Sequence, residues 1–231
     1  MNVIRDRAPG AAEDRVALVM LPGAGDRAPD LARHGFIQAL RDRALPVDAF
    51  VADAHADYYL EQTVVARLER DVIGPARDSG YLRIWLMGIS LGGLGALAYA
   101  REHGASVEGL VLLAPFLGTR GLIAEITRAG GLRAWQPGED AADDAERGLL
   151  AWLRDATGRD AAPRIHLGYG TGDRYAAASR LLEAQLPGSR VTRIEGGHDW
   201  ATWLELWQRI LEGSVFSTGT RPVSPVAGPS Q

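Results

Sequence analysis

The sequence predicts one α/β domain built on a mostly parallel sheet of about six strands, with flanking helices and a helical cap insertion. Three observations carry this expectation. Short apolar runs alternate with helix-period patterns, which is the mark of βαβ units. A chain of 231 residues suffices for one such domain with a substantial core, and not for two. A hydrophobic share of 46% with 23% charged residues is the balance of a globular protein.

The expected strands are RVALVML (15–21), PVDAFVA (46–52), LRIWLMG (82–88), GLVLLAP (109–115), RIHLGY (164–169) and RVTRIE (190–195). Helices separate them. Leu60, Val64, Leu68 and Val72 recur at every fourth residue, and Ile37, Leu40 and Ala44 keep one face. Trp200, Trp203, Leu204, Trp207 and Leu211 form an apolar stripe that reads as a helix face packed on the sheet rather than a ligand platform. Residues 1–14 read as an N-terminal segment and 15–213 as the domain. Within it, about 117–162 carries no strand pattern. Two amphipathic stretches lie there, LIAEITRAGGLRAW and ERGLLAWLRDA, around the acidic GEDAADDAE, and they read as a cap whose Trp135 and Trp152 face either an acyl pocket or the domain body. The tail 214–231, rich in Ser, Thr, Pro and Gly, is expected to be disordered.

Composition also excludes partners. A net charge of −4 with no basic run offers nothing to nucleic acid. The absence of cysteine removes disulfides, thiolate metal sites and a cysteine nucleophile, and suits a reducing compartment. The start lacks an apolar signal core, and the longest apolar runs are too short to span a bilayer. A cytoplasmic location is the expectation. DAHAD (53–57) places Asp53, His55 and Asp57 at alternate positions, but three ligands need further help, and a polar loop is the better reading than a metal site.

LMGISLGGLG (86–95) surrounds Ser90 with glycines between an apolar strand and a helix. Strand, serine, helix is the setting of the Gly-x-Ser-x-Gly elbow, here Gly88-Ile89-Ser90-Leu91-Gly92. The bend pushes the hydroxyl out at the carboxyl end of the sheet, and glycine lets strand and helix approach beneath it. A serine needs a base to become a nucleophile. Among five histidines, His34 lies on a surface helix, His103 at a helix end, His166 inside a strand and His55 in the DAHAD loop. His198, in EGGHDW after the last strand, stands where a base would be delivered. The acid should lie between serine and histidine in the chain. Asp173 in GYGTGDRY, after the fifth strand, fits; Asp199 is the rival, but adjacent side chains diverge and it reads as a helix N-cap. An oxyanion would take the backbone N–H groups of Leu91 and of Ala24 in LPGAGD.

These motifs resemble the α/β-hydrolases, and among them the small carboxylesterases and acyl-thioesterases. Such enzymes typically carry Leu-His-Gly-x-Gly-Asp, Gly-x-Ser-x-Gly-Gly, Gly-x-x-Asp and a late Gly-His; this chain reads LPGAGD, GISLGG, GTGD and GGHD. GGHDWATW is also similar to the branch holding feruloyl and formylglutathione esterases. The resemblance spans residues 15–213 and implies the α/β-hydrolase fold, a Ser90–Asp173–His198 triad, an Ala24 and Leu91 oxyanion hole, and a small acyl ester or thioester as substrate, with no cofactor or metal. Pro22 stands where many members have histidine, and Arg174 where proline is common.

Two other readings compete. GAGDRA (23–28) fits the Gly-x-Gly-x-x-Ala dinucleotide fingerprint of an NAD(P)-dependent oxidoreductase, although Pro29 suggests a helix beginning after the glycines. A hydrolase-like receptor or scaffold without strong turnover is the other. The acyl group, the leaving group, the pathway and the oligomeric state are not legible in the sequence.

Overall fold

Valine, leucine and isoleucine fill the strands of this chain because both sheet faces are covered by helices. The computed structural model describes residues 1–10, 15–138, 144–157, 163–213 and 215–216. Seven strands form one sheet: β1 (Val3–Asp6), β2 (Val16–Leu21), β3 (Val47–Ala52), β4 (Arg83–Ile89), β5 (Gly109–Leu113), β6 (Arg164–Gly170) and β7 (Val191–Ile194). Every residue of β2, β3 and β5 is buried. The order is β1-β3-β2-β4-β5-β6-β7, with β1 antiparallel to β3 and all other pairs parallel. All six expected strands form, and β1, from the N-terminal segment, adds a seventh at the edge.

Ten α-helices lie among the described residues. One face of the sheet carries α1 (Ala28–Arg33), α2 (Phe36–Arg41) and the C-terminal α10 (Trp200–Glu212). Here Trp203, Leu206, Trp207, Ile210 and Leu211 are buried, and Trp207 donates its indole N–H to the Phe36 carbonyl at 3.0 Å. The tryptophan stripe packs on the sheet, as its period implies. After β3 come α3 (Ala56–Leu60), α4 (Val64–Leu68), a π-helical turn (Glu69–Ile73) and α5 (Gly74–Asp78). The opposite face is covered by α4, α6 (Leu91–His103), α8 (Ala145–Ala156) and α9 (Ala176–Glu183), with α7 (Arg120–Arg128) beside them.

The expected cap divides into two parts with different jobs. Leu149, Leu150 and Leu153 of α8 join the same core as α6 and β6, so α8 is the ordinary crossover helix between β5 and β6. α7 instead packs on α9. Trp135 is buried, with its indole N–H on Glu125 at 2.9 Å, so it fills the body rather than a pocket. Trp152 is half-buried against the same core. Residues 139–143 of the acidic stretch and nearly all of the expected disordered tail, 214 and 217–231, lie outside the described residues. Val215 and Phe216 are inside the core: Phe216 meets Trp85 edge-on at 5.3 Å and its carbonyl accepts from Arg83. The packed chain therefore extends past 213.

His166 on β6 is half-buried beside Trp85, and burial, with Arg190 and Arg164 nearby, pushes its pKa down to about 4. In the unfolded chain the imidazole takes up a proton near its ordinary pKa of 6.5, which the folded chain refuses. Stability is therefore expected to fall as pH drops from 6.5 toward about 4. Denaturant titrations across this window should show a shallower acid loss for His166→Asn; parallel curves for the two proteins would remove His166 as the cause.

Candidate active site

The chain reverses its direction of winding at the β2/β4 boundary. β2 leads to helices on one face, and β4 leads to α6 on the other, which opens a crevice at their carboxyl ends. Ser90 and the loop of residues 22–27 both lie there. Register pairs Leu21 with Gly88 and Ile89 with Leu113, so the loop and the serine leave the sheet at one level.

Ser90 is strained, with φ 50° and ψ −113° between β4 and α6. Non-glycine residues seldom hold such angles unless neighbours impose them. Here Ser90 N–H donates to the Leu113 carbonyl at 2.9 Å, and Phe116 N–H donates to the Ser90 carbonyl at 2.9 Å. The glycines explain how the bend fits. A β-carbon on Gly92 would collide with the Leu21 and Pro22 carbonyls, and one on Gly88 with the backbone of Gly92 and Gly93. Gly92→Ala must therefore push α6 away from the β2 loop. Activity is expected to fall by about 100-fold or more, since small displacements of positioned groups cost that much. Wild-type turnover by a folded Gly92→Ala protein would contradict this account.

His198 reaches the serine from the loop after β7. Its Nε2 lies 3.0 Å from Ser90 Oγ, and its Nδ1 lies 2.7 Å from Asp173 Oδ2. With Asp173 as acceptor, Nδ1 carries the proton and Nε2 is free to accept from the serine. Asp173 is held in turn: its Oδ1 accepts from Tyr175 N–H at 2.7 Å, and its side chain is 1% exposed. Two backbone bonds tie the loops together, Thr171 N–H to Ile194 at 2.8 Å and Gly172 N–H to Gly196 at 3.0 Å. Asp199 points elsewhere. Its Oδ1 caps α10 through Thr202 N–H at 3.0 Å, and backbone hydrogen bonds hold its carboxyl below the usual range.

Asp26 N–H donates to the Gly23 carbonyl at 3.2 Å, closing a turn with Ala24 and Gly25 at its centre. Gly25 has φ 83°, the value a type II turn requires at that position. The central N–H of Ala24 takes no part in the closing bond. Leu91 is the first residue of α6, where helical N–H groups lack internal partners. The Gly23 position adjoins Ser90: a β-carbon there would lie 3.7 Å from the Ser90 Cβ.

Three neighbours of the site escaped sequence reasoning. The rings of Tyr175 and Trp203 meet His198 edge-on at 4.9 and 5.0 Å, fixing the imidazole plane. Asp26 is half-buried near His198, and burial, followed by repulsion from Asp30, raises its pKa. Of the other histidines, His34 stacks on Trp200 at 4.1 Å, His55 faces Asp57 at 3.2 Å and His103 stacks on Tyr99 at 4.6 Å. Asp53 of DAHAD is occupied by the Arg27 guanidinium at 2.7 and 2.9 Å and by Ala28 N–H at 3.1 Å. Among the described residues no cluster suits a metal ion. Gly23 and Gly25 lie in a turn ahead of α1 rather than in its first turn, and α1 spans only Ala28–Arg33. That placement disfavours the dinucleotide reading.

The sheet order, the switch-point crevice and the strand–serine–helix bend agree with solved structures of one fold. Est1E from Butyrivibrio proteoclasticus matches with TM-score 0.63 at 20% identity, over 92% of this chain and 94% of that one. The chain has the α/β-hydrolase fold. The chain is also similar to the S-formylglutathione hydrolase of Staphylococcus aureus, with TM-score 0.57 and 17% identity over 85% and 80% of the two chains. Its counterpart from Agrobacterium tumefaciens gives 0.60 and 12%, over 91% and 87%. The family model described as serine aminopeptidase, S33, matches residues 34–138 of the chain. No curated protein sequence matches it. Among the described residues no helix is long and apolar enough to cross a membrane.

Proposed function

We propose that this chain is a serine hydrolase that cleaves a carboxylic ester or thioester through an acyl-enzyme. One observation carries the reading: an unbroken hydrogen-bonded series from Ser90 through His198 to Asp173, at 3.0 and 2.7 Å, on a strained serine. In this reading His198 Nε2 takes the Ser90 proton as Oγ attacks the substrate carbonyl carbon. Asp173 stabilises the imidazolium that results. The Ala24 and Leu91 N–H groups hold the negative oxygen of the tetrahedral intermediate. Collapse breaks the bond to the alcohol or thiol, which leaves with the proton from His198. A water then gives its proton to His198 and attacks the acyl carbon, releasing the acid and restoring Ser90.

Each step uses groups of the chain itself. A cysteine-free chain suits a reducing compartment, and cytoplasmic action belongs to the same reading. The test is covalent labelling by a fluorophosphonate together with turnover of p-nitrophenyl esters. Labelling with turnover supports a hydrolase. Binding without either supports a receptor on the same scaffold, and a saturable nicotinamide titration would revive the oxidoreductase.

A further inference from the structure

A groove of about 490 Å³ opens beside the triad, between α7 and the start of α9. Two of its lining residues, Phe116 and Tyr175, join it to the serine and the histidine. Phe116, bonded to the Ser90 carbonyl, and Tyr175, whose ring meets His198, are its inner walls. Ile123 and Ala178 give it a buried apolar floor. Pockets of this size and lining take small organic ligands.

Its rim has one sign of charge. Arg120, Arg128 and Arg174 line it and are exposed, and no carboxylate lines it among the described residues. The Arg120 and Arg174 guanidiniums lie over the Tyr175 ring at 5.9 and 4.9 Å, which holds both at the mouth. None of the three forms an ion pair among the described residues; Arg128 is near enough to Glu125 to help hold its pKa down, but that carboxylate is paired with Arg147 on α8 at 2.6 Å. In a chain of net charge −4, three cations gathered around one apolar groove select a ligand of opposite charge.

We infer that the groove takes one arm of the substrate, an apolar chain or ring ending in a carboxylate or comparable anion. This rests on the hydrolase reading above. Apolar floor and cationic rim then divide the work: the floor buries the hydrocarbon, and the rim binds the anionic end by charge-assisted hydrogen bonds.

The anion can belong to the acyl part or to the leaving group, and paired substrates separate the two. Mono-p-nitrophenyl adipate is compared with p-nitrophenyl hexanoate for the acyl side. The acetate ester of 3-(4-hydroxyphenyl)propanoate is compared with its methyl ester for the leaving group. In one pair kcat/KM should favour the anion by about tenfold, mainly through KM, and added salt should erode the advantage. Arg128→Glu and Arg120→Glu should bring that ratio to one or below. Equal ratios for wild type and both variants, or a neutral preference in both pairs, would overturn the inference. Binding of adipate to Ser90→Ala, followed by calorimetry, reads the groove without turnover. Loss of that binding on adding Arg128→Glu supports the groove even if no ester is hydrolysed. Adipate binding indifferent to the charge reversal sinks it even if the protein is an active esterase.

Discussion

Ser90→Ala is expected to abolish fluorophosphonate labelling and to lower kcat on p-nitrophenyl esters by about 10⁴–10⁶, the scale of triad deletions elsewhere. The size follows from the roles at the site. In the proposed mechanism His198 activates Ser90, whose Oγ lies 3.0 Å from Nε2, and alanine leaves no hydroxyl there to attack. Residual rate would come from bound water and the oxyanion donors alone. The fold should hardly notice. The backbone at Ser90 is fixed by its bonds to Leu113 and Phe116, which do not involve the hydroxyl. The strain at φ 50° is the same for alanine, so the melting temperature should move by no more than a few degrees. Labelling that survives in the folded variant would put the nucleophile elsewhere.

Sequence made the central sheet and the Ser90–His198–Asp173 constellation readable for the same physical reason. Strands buried on both faces must be apolar runs, and a bend at a strand end must be glycine-rich where backbones touch. Both signals are local. β1 left no such trace: VIRD has four residues, none of them buried, two apolar followed by two charged, at a sheet edge. Its place depends on distant partners, such as the Arg41 guanidinium on Asp6 and Asp53 N–H on the Asn2 carbonyl. Tyr175 and Trp203 were hidden differently. Trp203 sits in a stripe whose period says only that it packs, and its contact with His198 depends on where the β7 loop folds back. Tyr175 lies two residues from Asp173, which was a signal, but a tyrosine in a loop has no periodicity to interpret. The two stretches of the cap region part in three dimensions. Two amphipathic stretches without a strand look alike in one dimension, and only the core shared by α8, α6 and β6 assigns α8 to the sheet. Val215 and Phe216 are two apolar residues at the head of a polar tail, and composition averaged over 214–231 concealed them.

Asp173→Asn is expected to be nearly inactive and normally folded, while Asp199→Asn keeps its activity. The two carboxylates flank the same histidine in quite different ways. Asp173 accepts from His198 Nδ1 at 2.7 Å, so it selects the tautomer whose Nε2 can take the serine proton. An asparagine amide at that position can donate instead and leave the proton on Nε2, a change that costs about 10⁴ in kcat in the serine-protease precedent. Asparagine keeps the shape of aspartate, and its side-chain oxygen can still accept from Tyr175 N–H, so the loop should stay in place. Asp199 does its work on α10 through Thr202 N–H, and asparagine serves as an N-cap nearly as well. Asp199→Ala, by contrast, should cost about 1 kcal/mol of stability through the lost cap, with the triad distances unchanged. Measured kcat and melting temperature for the three variants decide between the two acids. A dead Asp199→Asn beside a fully active Asp173→Asn would mean that His198 is oriented by its neighbour and that the hydrogen bond to Asp173 is not the one catalysis uses.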